Sequence, residues 1–336
     1  MSYVKYIGKR LIMMIPQLLG IMLVSFLLVR MLPGNPATAI AGSLATEETV
    51  RAIEHRMGLD QPIYIQFGLY LKNVMQGDLG TSWYTSSPVS QDLTQRFPAT
   101  LEIVSLSMIL AILIGVLAGI LATIKPKGIV DRISKGFSMV AGALPEFWLG
   151  LLFIYFLYVR LKLVAAPLGR LDLAFNLPPT VTGMILLDTL IAGDFAAFGN
   201  AVSHMLLPVA TLSIVLLGPI LKMTRSSMRE AMGGNYVYYA KMCGMKSRKI
   251  VLYAFRSALP PIVTIIAVYY GFMLGGAVLI EQVFGWGGLG QYAVQAVVNK
   301  DFNAIQGFLV LSAVFSLFLY LIVDIVYMII DPRIRP

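Results

Sequence analysis

The chain has 336 residues, 58% of them hydrophobic and only 13% charged, with a mean hydropathy of +0.79, where a soluble domain carries about 25% charged residues. The net charge of +9 is dispersed in short segments between apolar runs, which excludes a basic nucleic-acid-binding domain and matches the pattern of membrane topology signals. The single cysteine, Cys243, excludes an internal disulfide or a cysteine-built metal site, and two distant histidines, His55 and His204, make a zinc site improbable.

The first apolar run, Leu11 to Leu32, follows Lys5, Lys9 and Arg10. Ala39-Ile40-Ala41 offers a small-residue cleavage pattern, but signal h-regions span about 7–15 residues. The longer run here favours a retained first helix. Residues 33–98 are mixed and polar, with Thr46 placed to N-cap an amphipathic helix carrying Glu47, Glu48, Arg51, Glu54 and Arg56. Leu101 to Ile124 is the second span, and a basic turn with Lys125, Lys127, Arg132 and Lys135 follows it. Gly136 to Val159 reads as a third span interrupted at Pro145-Glu146, and Val181 to Ile191 is too short to cross. Met205 to Met223, Pro261 to Ile280 and Ile305 to Ile330 complete about six spans, with Pro208 and Pro219 tolerated inside the fourth.

Lysine and arginine placement sets the orientation. With the N-terminus inside, the inner segments collect the residues before the first span, the turn after the second, the cluster from Lys222 to Arg256, and Arg333 and Arg335. The other side takes most acids, among them Glu47, Asp60, Asp78, Asp92, Asp172, Asp188 and Asp194. This is a positive-inside asymmetry on an even span count.

The inner segment Lys222 to Pro261 is the most informative. Gly233-Gly234-Asn235 is expected to end one helix, with Asn235 capping a short apolar one over Tyr236 to Cys243. Gly244 stops it, Ser247 is placed to cap a further helix reaching Arg256, and Pro260-Pro261 open the next span. An apolar helix exposed between basic stretches calls for a partner surface; a hairpin folded onto its own bundle or onto the bilayer is the other reading.

Tyr239-Ala240-Lys241-Met242-Cys243-Gly244, followed by Ala258-Leu259-Pro260, resembles the EAA loop of ABC importer permeases in the form found in dipeptide, oligopeptide and nickel permeases. Tyr236, Ala240, Gly244, Arg256, Ala258, Leu259 and Pro260 keep the pattern. Tyr239 stands where the family has Thr, Lys241 for Arg, Met242 for Ala, Cys243 for Lys and Ser257 for Asn. The resemblance continues through Leu32-Pro33-Gly34-Asn35-Pro36, Gly58-Leu59-Asp60-Gln61-Pro62, Gly77-Asp78-Leu79-Gly80-Thr81-Ser82, the segment Val283 to Gly290, and Asp331-Pro332-Arg333-Ile334-Arg335. It is closest to the first of the two permeases of such systems. It implies an all-α, type-I permease fold in a bacterial inner membrane, with both termini cytoplasmic. Residues 1–95 would hold the first helix and external segment, 96–330 the transmembrane domain with a coupling loop at 222–260, and 331–336 a tail. The implied coupling residues are Tyr236, Tyr239, Ala240, Gly244 and Pro260, docking on an ATPase subunit. Phe284, Gly285, Trp286, Gly287 and Gly290 are the implied external contact with a solute-binding protein. The implied partners are that binding protein, a second permease and two ATP-binding subunits, with no cofactor and no metal.

Five features stand apart from the resemblance. Gly285-x-Gly287-x-x-Gly290 matches a dinucleotide fingerprint by letter, but that motif needs a preceding strand and this one follows a membrane helix. No Gly-x-x-x-x-Gly-Lys-Ser/Thr run occurs, so any ATP hydrolysis belongs to another polypeptide and the chain is not read as an enzyme. Glu146, inside the third span, either lines a pathway or pins a kink at Pro145. Asp324 lies near an inner end, within reach of water or basic residues. Glu281, at the outer end of the fifth span, is expected to be exposed. An ion-coupled secondary transporter is the alternative, with Glu146 and Asp324 as its intramembrane acids.

Overall fold

The computed structural model describes residues 3–31, 36–42, 45–56 and 58–330. The family-like segments at 32–35 and 331–336, with Arg333 and Arg335, lie outside the described residues. Among the described residues every named element is a helix. The long ones are α1 (Tyr3–Met31), α5 (Val89–Ile124), α9 (Phe195–Met232), α11 (Ser247–Gly276) and α14 (Phe302–Ile330), and each is apolar and long enough to cross a bilayer. Shorter ones are α2 (Pro36–Ala41), α3 (Glu47–Arg56), α4 (Ile63–Met75), α6 (Ile129–Ala141), α7 (Glu146–Phe153), α8 (Ile185–Ile191), α10 (Asn235–Met242), α12 (Val278–Val283) and α13 (Leu289–Val298). Thr46 caps α3 as expected, its Oγ1 accepting from the Thr49 N–H at 3.3 Å.

The third span is not straight. α6 and the helix running from Glu146 to Arg160 meet at 104°, and the last part, Ile154–Arg160, is π-helical. Pro145 explains the break. It lacks an N–H, takes extended ψ 130° at the start of α7, and disfavours a helical residue before it. The bent pair still crosses. Asp131 pairs with Arg225 and Arg229 of α9, a Cβ on Gly218 would meet Ala141, and one on Gly150 would meet Thr211. The chain thus climbs steadily along α9 and makes a sixth crossing.

α5 and α9 form the central pair and run parallel. Ser213 Oγ donates to the Ser107 carbonyl at 3.1 Å, and further along Gly115 faces Ile220 and Gly119 faces Thr224. A Cβ on Gly119 would sit 2.6 Å from Thr224 Cβ, so the absent side chain lets the backbones approach. Two parallel helices require one crossing between them, which the bent pair supplies. α11 returns beside α9 through Met228, Ala254, Ala258 and Ile262. α14 returns beside α11, where Tyr270 stacks on Phe315. α1 runs antiparallel to α14, with Arg10 Nε 3.2 Å from Asp324 Oδ2 at one end. The beginning of α1, the end of α14 and the α9–α11 connection therefore share one side of the bundle.

α11 corrects a boundary. Lys246, not Ser247, precedes its first turn, and the helix runs unbroken through Pro260 and Pro261 to Gly276. Thr264 Oγ1 donates to the Pro260 carbonyl at 2.9 Å, and Tyr327 Oη donates to it at 3.3 Å. Proline removes the backbone bonds to the Arg256 and Ser257 carbonyls, and the Thr264 and Tyr327 side chains add bonds at the neighbouring Pro260 carbonyl.

Candidate coupling site

The site is built where α9 ends. Gly233 closes that helix, donating its N–H to the Arg229 and Glu230 carbonyls at 3.1 Å. Gly234 is extended (φ −69°, ψ 149°) and takes the cap position, so Asn235 is the first helical residue and not the cap. Eight residues follow, and one side chain fixes them to the bundle: Val237 is 1% exposed. The other face is open, with Tyr239 at 67%, Met242 at 68%, and Tyr236 and Tyr238 also exposed. Ala240 is half-buried between them.

Gly244 ends α10 by a specific device. Its φ is +70°, its N–H donates to the Lys241 carbonyl at 3.0 Å, and the Met245 N–H donates to the Ala240 carbonyl at 3.0 Å. These are the paired bonds of a Schellman cap, which places glycine in the left-handed region. No neighbour lies within 4 Å of a Cβ built there, so the constraint comes from the backbone alone. Lys246, Arg248 and Lys249 surround the apolar face with exposed basic residues, and Cys243 lies exposed at its edge.

Of the five expected coupling residues, Tyr236, Tyr239, Ala240 and Gly244 fall on α10 and its cap. Pro260 does not join them: it lies roughly 20 Å along α11 at 1.5 Å per residue and faces Tyr327. Sequence reasoning passed over Asp131. Its Oδ1 lies 2.5 Å from Arg225 Nε, its Oδ2 lies 3.1 Å from Arg229 Nη2, and Oδ2 accepts from the Lys127 N–H at 3.0 Å. This carboxylate ties the α5–α6 turn to the stretch of α9 that leads into α10. A lone acid inside a basic turn was the available signal.

The segment after α12 behaves differently. Phe284 and Trp286 are each 1% exposed, and Trp286 Nε1 donates to the Ala99 carbonyl at 3.0 Å. Glu281, expected at the surface, is fully buried. It accepts from Thr100 Oγ1 and, at 3.0 Å, from the Gln291 N–H. A Cβ on Gly288 would fall 2.5 Å from Glu281 Oε1, and one on Gly290 2.6 Å from Val278 Cα. Those glycines admit a carboxylate and a helix at close range. Gly285, Gly287 and Gln282 remain partly or fully accessible. Glu146 is half-buried at the bend, and Asp324 is held by Arg10.

The described residues form a multi-pass helical bundle, with one short helix displaying aromatic side chains at the end that holds the beginning of α1 and the end of α14, the class of a multi-pass membrane protein. The chain belongs to the family described as the inner membrane component of binding-protein-dependent transport systems, whose pattern matches residues 111–336, with the family's N-terminal component matching residues 3–104. It is 38% identical over 316 residues to the probable D,D-dipeptide transport system permease protein of Escherichia coli (strain K12), covering 94% of this chain and 93% of that one. It is 36% identical over 335 residues to the dipeptide transport system permease protein of the same organism, covering 98% of each. A di/tripeptide transport system permease protein of Pseudomonas aeruginosa (strain UCBPP-PA14) is 35% identical over 332 residues, again covering 98% of each. Family membership makes the chain a transport permease and not an enzyme, and it replaces the ion-coupled alternative.

Proposed function

We propose that this chain is the membrane-crossing subunit of an ATP-driven importer for di- and oligopeptides, with α10 as the element that senses ATP hydrolysis on a partner. The observation that carries this reading is the geometry of α10: an apolar, aromatic face displayed outward, anchored by Val237 and stopped by Gly244 at positive φ. An ATPase subunit would cover Tyr236, Tyr239, Ala240 and Met242, and its closure would move α9 and α11 together. The positive-inside charge pattern supports a cytoplasmic position for α10 and both termini. The assembly is a second related permease, two ATP-binding subunits and an external binding protein that touches this chain through Gln282, Gly285 and Gly287. The peptide class follows from the relatives' names.

Cys243, the single cysteine, provides the test without a substitution. A membrane-impermeant maleimide should label it only from the cytoplasmic face, and the assembled ATPase should slow that labelling at least about tenfold. Labelling from outside would overturn the topology. Equal labelling with and without the ATPase would remove α10 from the interface.

A further inference from the structure

The geometry points to an anionic-phospholipid site on the α5–α6 turn, where Lys125, Lys127, Arg132 and Lys135 stand at headgroup depth in the leaflet on the α10 side. All four side chains are exposed, and none pairs with a carboxylate among the described residues. Asp131 is the only acid between them in the chain, and it is turned away. It is buried, and its two oxygens are taken by Arg225 and Arg229 of α9. The turn therefore presents positive charge outward with nothing to balance it. Its backbone is held as well. Lys127 has φ +64°, a region that few residues other than glycine enter, and its N–H donates to Asp131 Oδ2 at 3.0 Å.

Apolar side chains select a lipid over a free anion. Leu117, Leu121 and Ile124 of α5 are exposed at steps of four and three residues, which puts them on one face of the helix. That stripe lies within a membrane span and runs directly into the basic turn. Ile129, 76% exposed, and Ile133, 64% exposed, stand among the charges. Apolar stripe followed by cations is the order of acyl chains followed by phosphate in a phospholipid. Inorganic phosphate matches the cations only.

Depth separates this surface from the one on α10. The headgroup layer is about 5–8 Å thick on each side of the hydrocarbon, and Lys125 directly follows the last apolar residue of its span, Ile124. Asp131 meets α9 at Arg225 and Arg229, roughly 10 and 5 Å before its last residue, Met232, at 1.5 Å per residue. α10 begins beyond that end, so a protein seated on α10 lies farther from the bilayer than this turn. Lys and Arg clusters immediately beyond a membrane helix are the sequence mark of anionic-lipid binding.

The full chain in lipid nanodiscs, carrying a trace of photoactivatable phosphatidylglycerol with its diazirine beside the headgroup, tests this. Adducts mapped by mass spectrometry should fall on residues 124–135. They should exceed those from the matching phosphatidylcholine probe at least about fivefold, the weight of one Lys or Arg near an anionic surface. High salt should remove the preference, while excess inorganic phosphate and added ATPase should leave the adducts in place. Lys127→Gln combined with Arg132→Gln should abolish the preference, and Lys246→Gln combined with Lys249→Gln, beside α10, should keep it. Equal labelling by the two probes overturns the site, and so do adducts confined to other parts of the chain; neither result needs a variant. Loss of the adducts when the ATPase is supplied assigns the turn to that protein instead. The coupling reading is judged by ATPase association at α10, so failure of either leaves the other standing.

Discussion

The two ends of the bundle use similar residues for opposite purposes. At the end opposite α10 the stretch from Glu281 to Tyr292 carries aromatics and glycines, and Phe284, Trp286 and Tyr292 are all buried against the chain's own helices. At the other end α10 also carries aromatics flanked by glycines, and Tyr236, Tyr238 and Tyr239 stand in the open. The outer glycines allow backbone to approach a buried carboxylate; Gly244 only turns the chain, with nothing near it. The lesson is that apolar residues in a connecting segment identify an interface only after the chain's own core has taken its share. The chain covers the aromatics of the first segment and leaves those of α10 uncovered.

The contrast is broken most forcefully at the outer end. Trp286→Ala deletes a fully buried ring and its bond to Ala99, and large-to-small core changes of this kind cost about 3–5 kcal/mol. Thermal unfolding in lipid should shift strongly downward and assembled complex should fall. A stable Trp286→Ala protein that merely loses binding-protein contact would return this residue to an interface role.

Next in size is the α10 cap. A β-branched residue at φ +70° carries strain of about 1–3 kcal/mol, or roughly five- to hundred-fold in an equilibrium at 1.4 kcal/mol per tenfold. Gly244→Val should lower ATPase co-purification by that range while lowering the melting temperature of the bundle little, since fraying of the α10 cap relieves the strain locally and no side-chain contact is lost. Ala240→Glu should act likewise through a charge in an apolar contact, and Gly244→Ala more mildly. Wild-type association and uptake in both Gly244→Val and Ala240→Glu would exclude α10 as the coupling element.

Asp131→Asn sharpens the picture further. It removes the charge that holds Arg225 and Arg229 while keeping the shape, at a cost of roughly 1.5–3 kcal/mol for a charge-assisted tie. ATPase should still bind, since α10 is untouched, but transport per ATP hydrolysed should drop several-fold. Unchanged coupling would reduce Asp131 to a fastening. The smallest effect is expected at the bend. Glu146→Gln should reduce uptake about two- to fivefold without loss of assembled complex if the charge faces the pathway, within the range of a single polar interaction, and Glu146→Leu should reduce it further. Normal uptake by both would assign Glu146 to the kink.

The spans, their order and the short helix were legible because each rests on a local signal: a long apolar run, or a glycine pair followed by a glycine stop. Helix ends were less so. Asn235 and Ser247 have good capping side chains, yet extended backbone at Gly234 and Lys246 takes those positions and both fall inside their helices. Pro260-Pro261 looked like a start, but the helix runs on through both prolines to Gly276. What the sequence hid altogether was tertiary. The burial of Glu281 depends on Thr100, 181 residues away, and the role of Asp131 depends on arginines 94 and 98 residues away. No periodicity records such partners.

α9 is continuous for 38 residues, from the outer cap at Asp194 to Gly233, roughly 57 Å at 1.5 Å per residue. Its tight contact with α5 at Gly115 and Gly119 lies nearer the α10 end than the other, which makes that contact the fulcrum of an unequal beam. With a short arm toward α10 and a long arm of roughly 40 Å toward the cap, a tilt of about 5° would become a displacement of about 3–4 Å at the far end. On the proposed role of α10, small strokes there would be amplified at the far end, and bulk added at Gly119 would jam the pivot without touching either end.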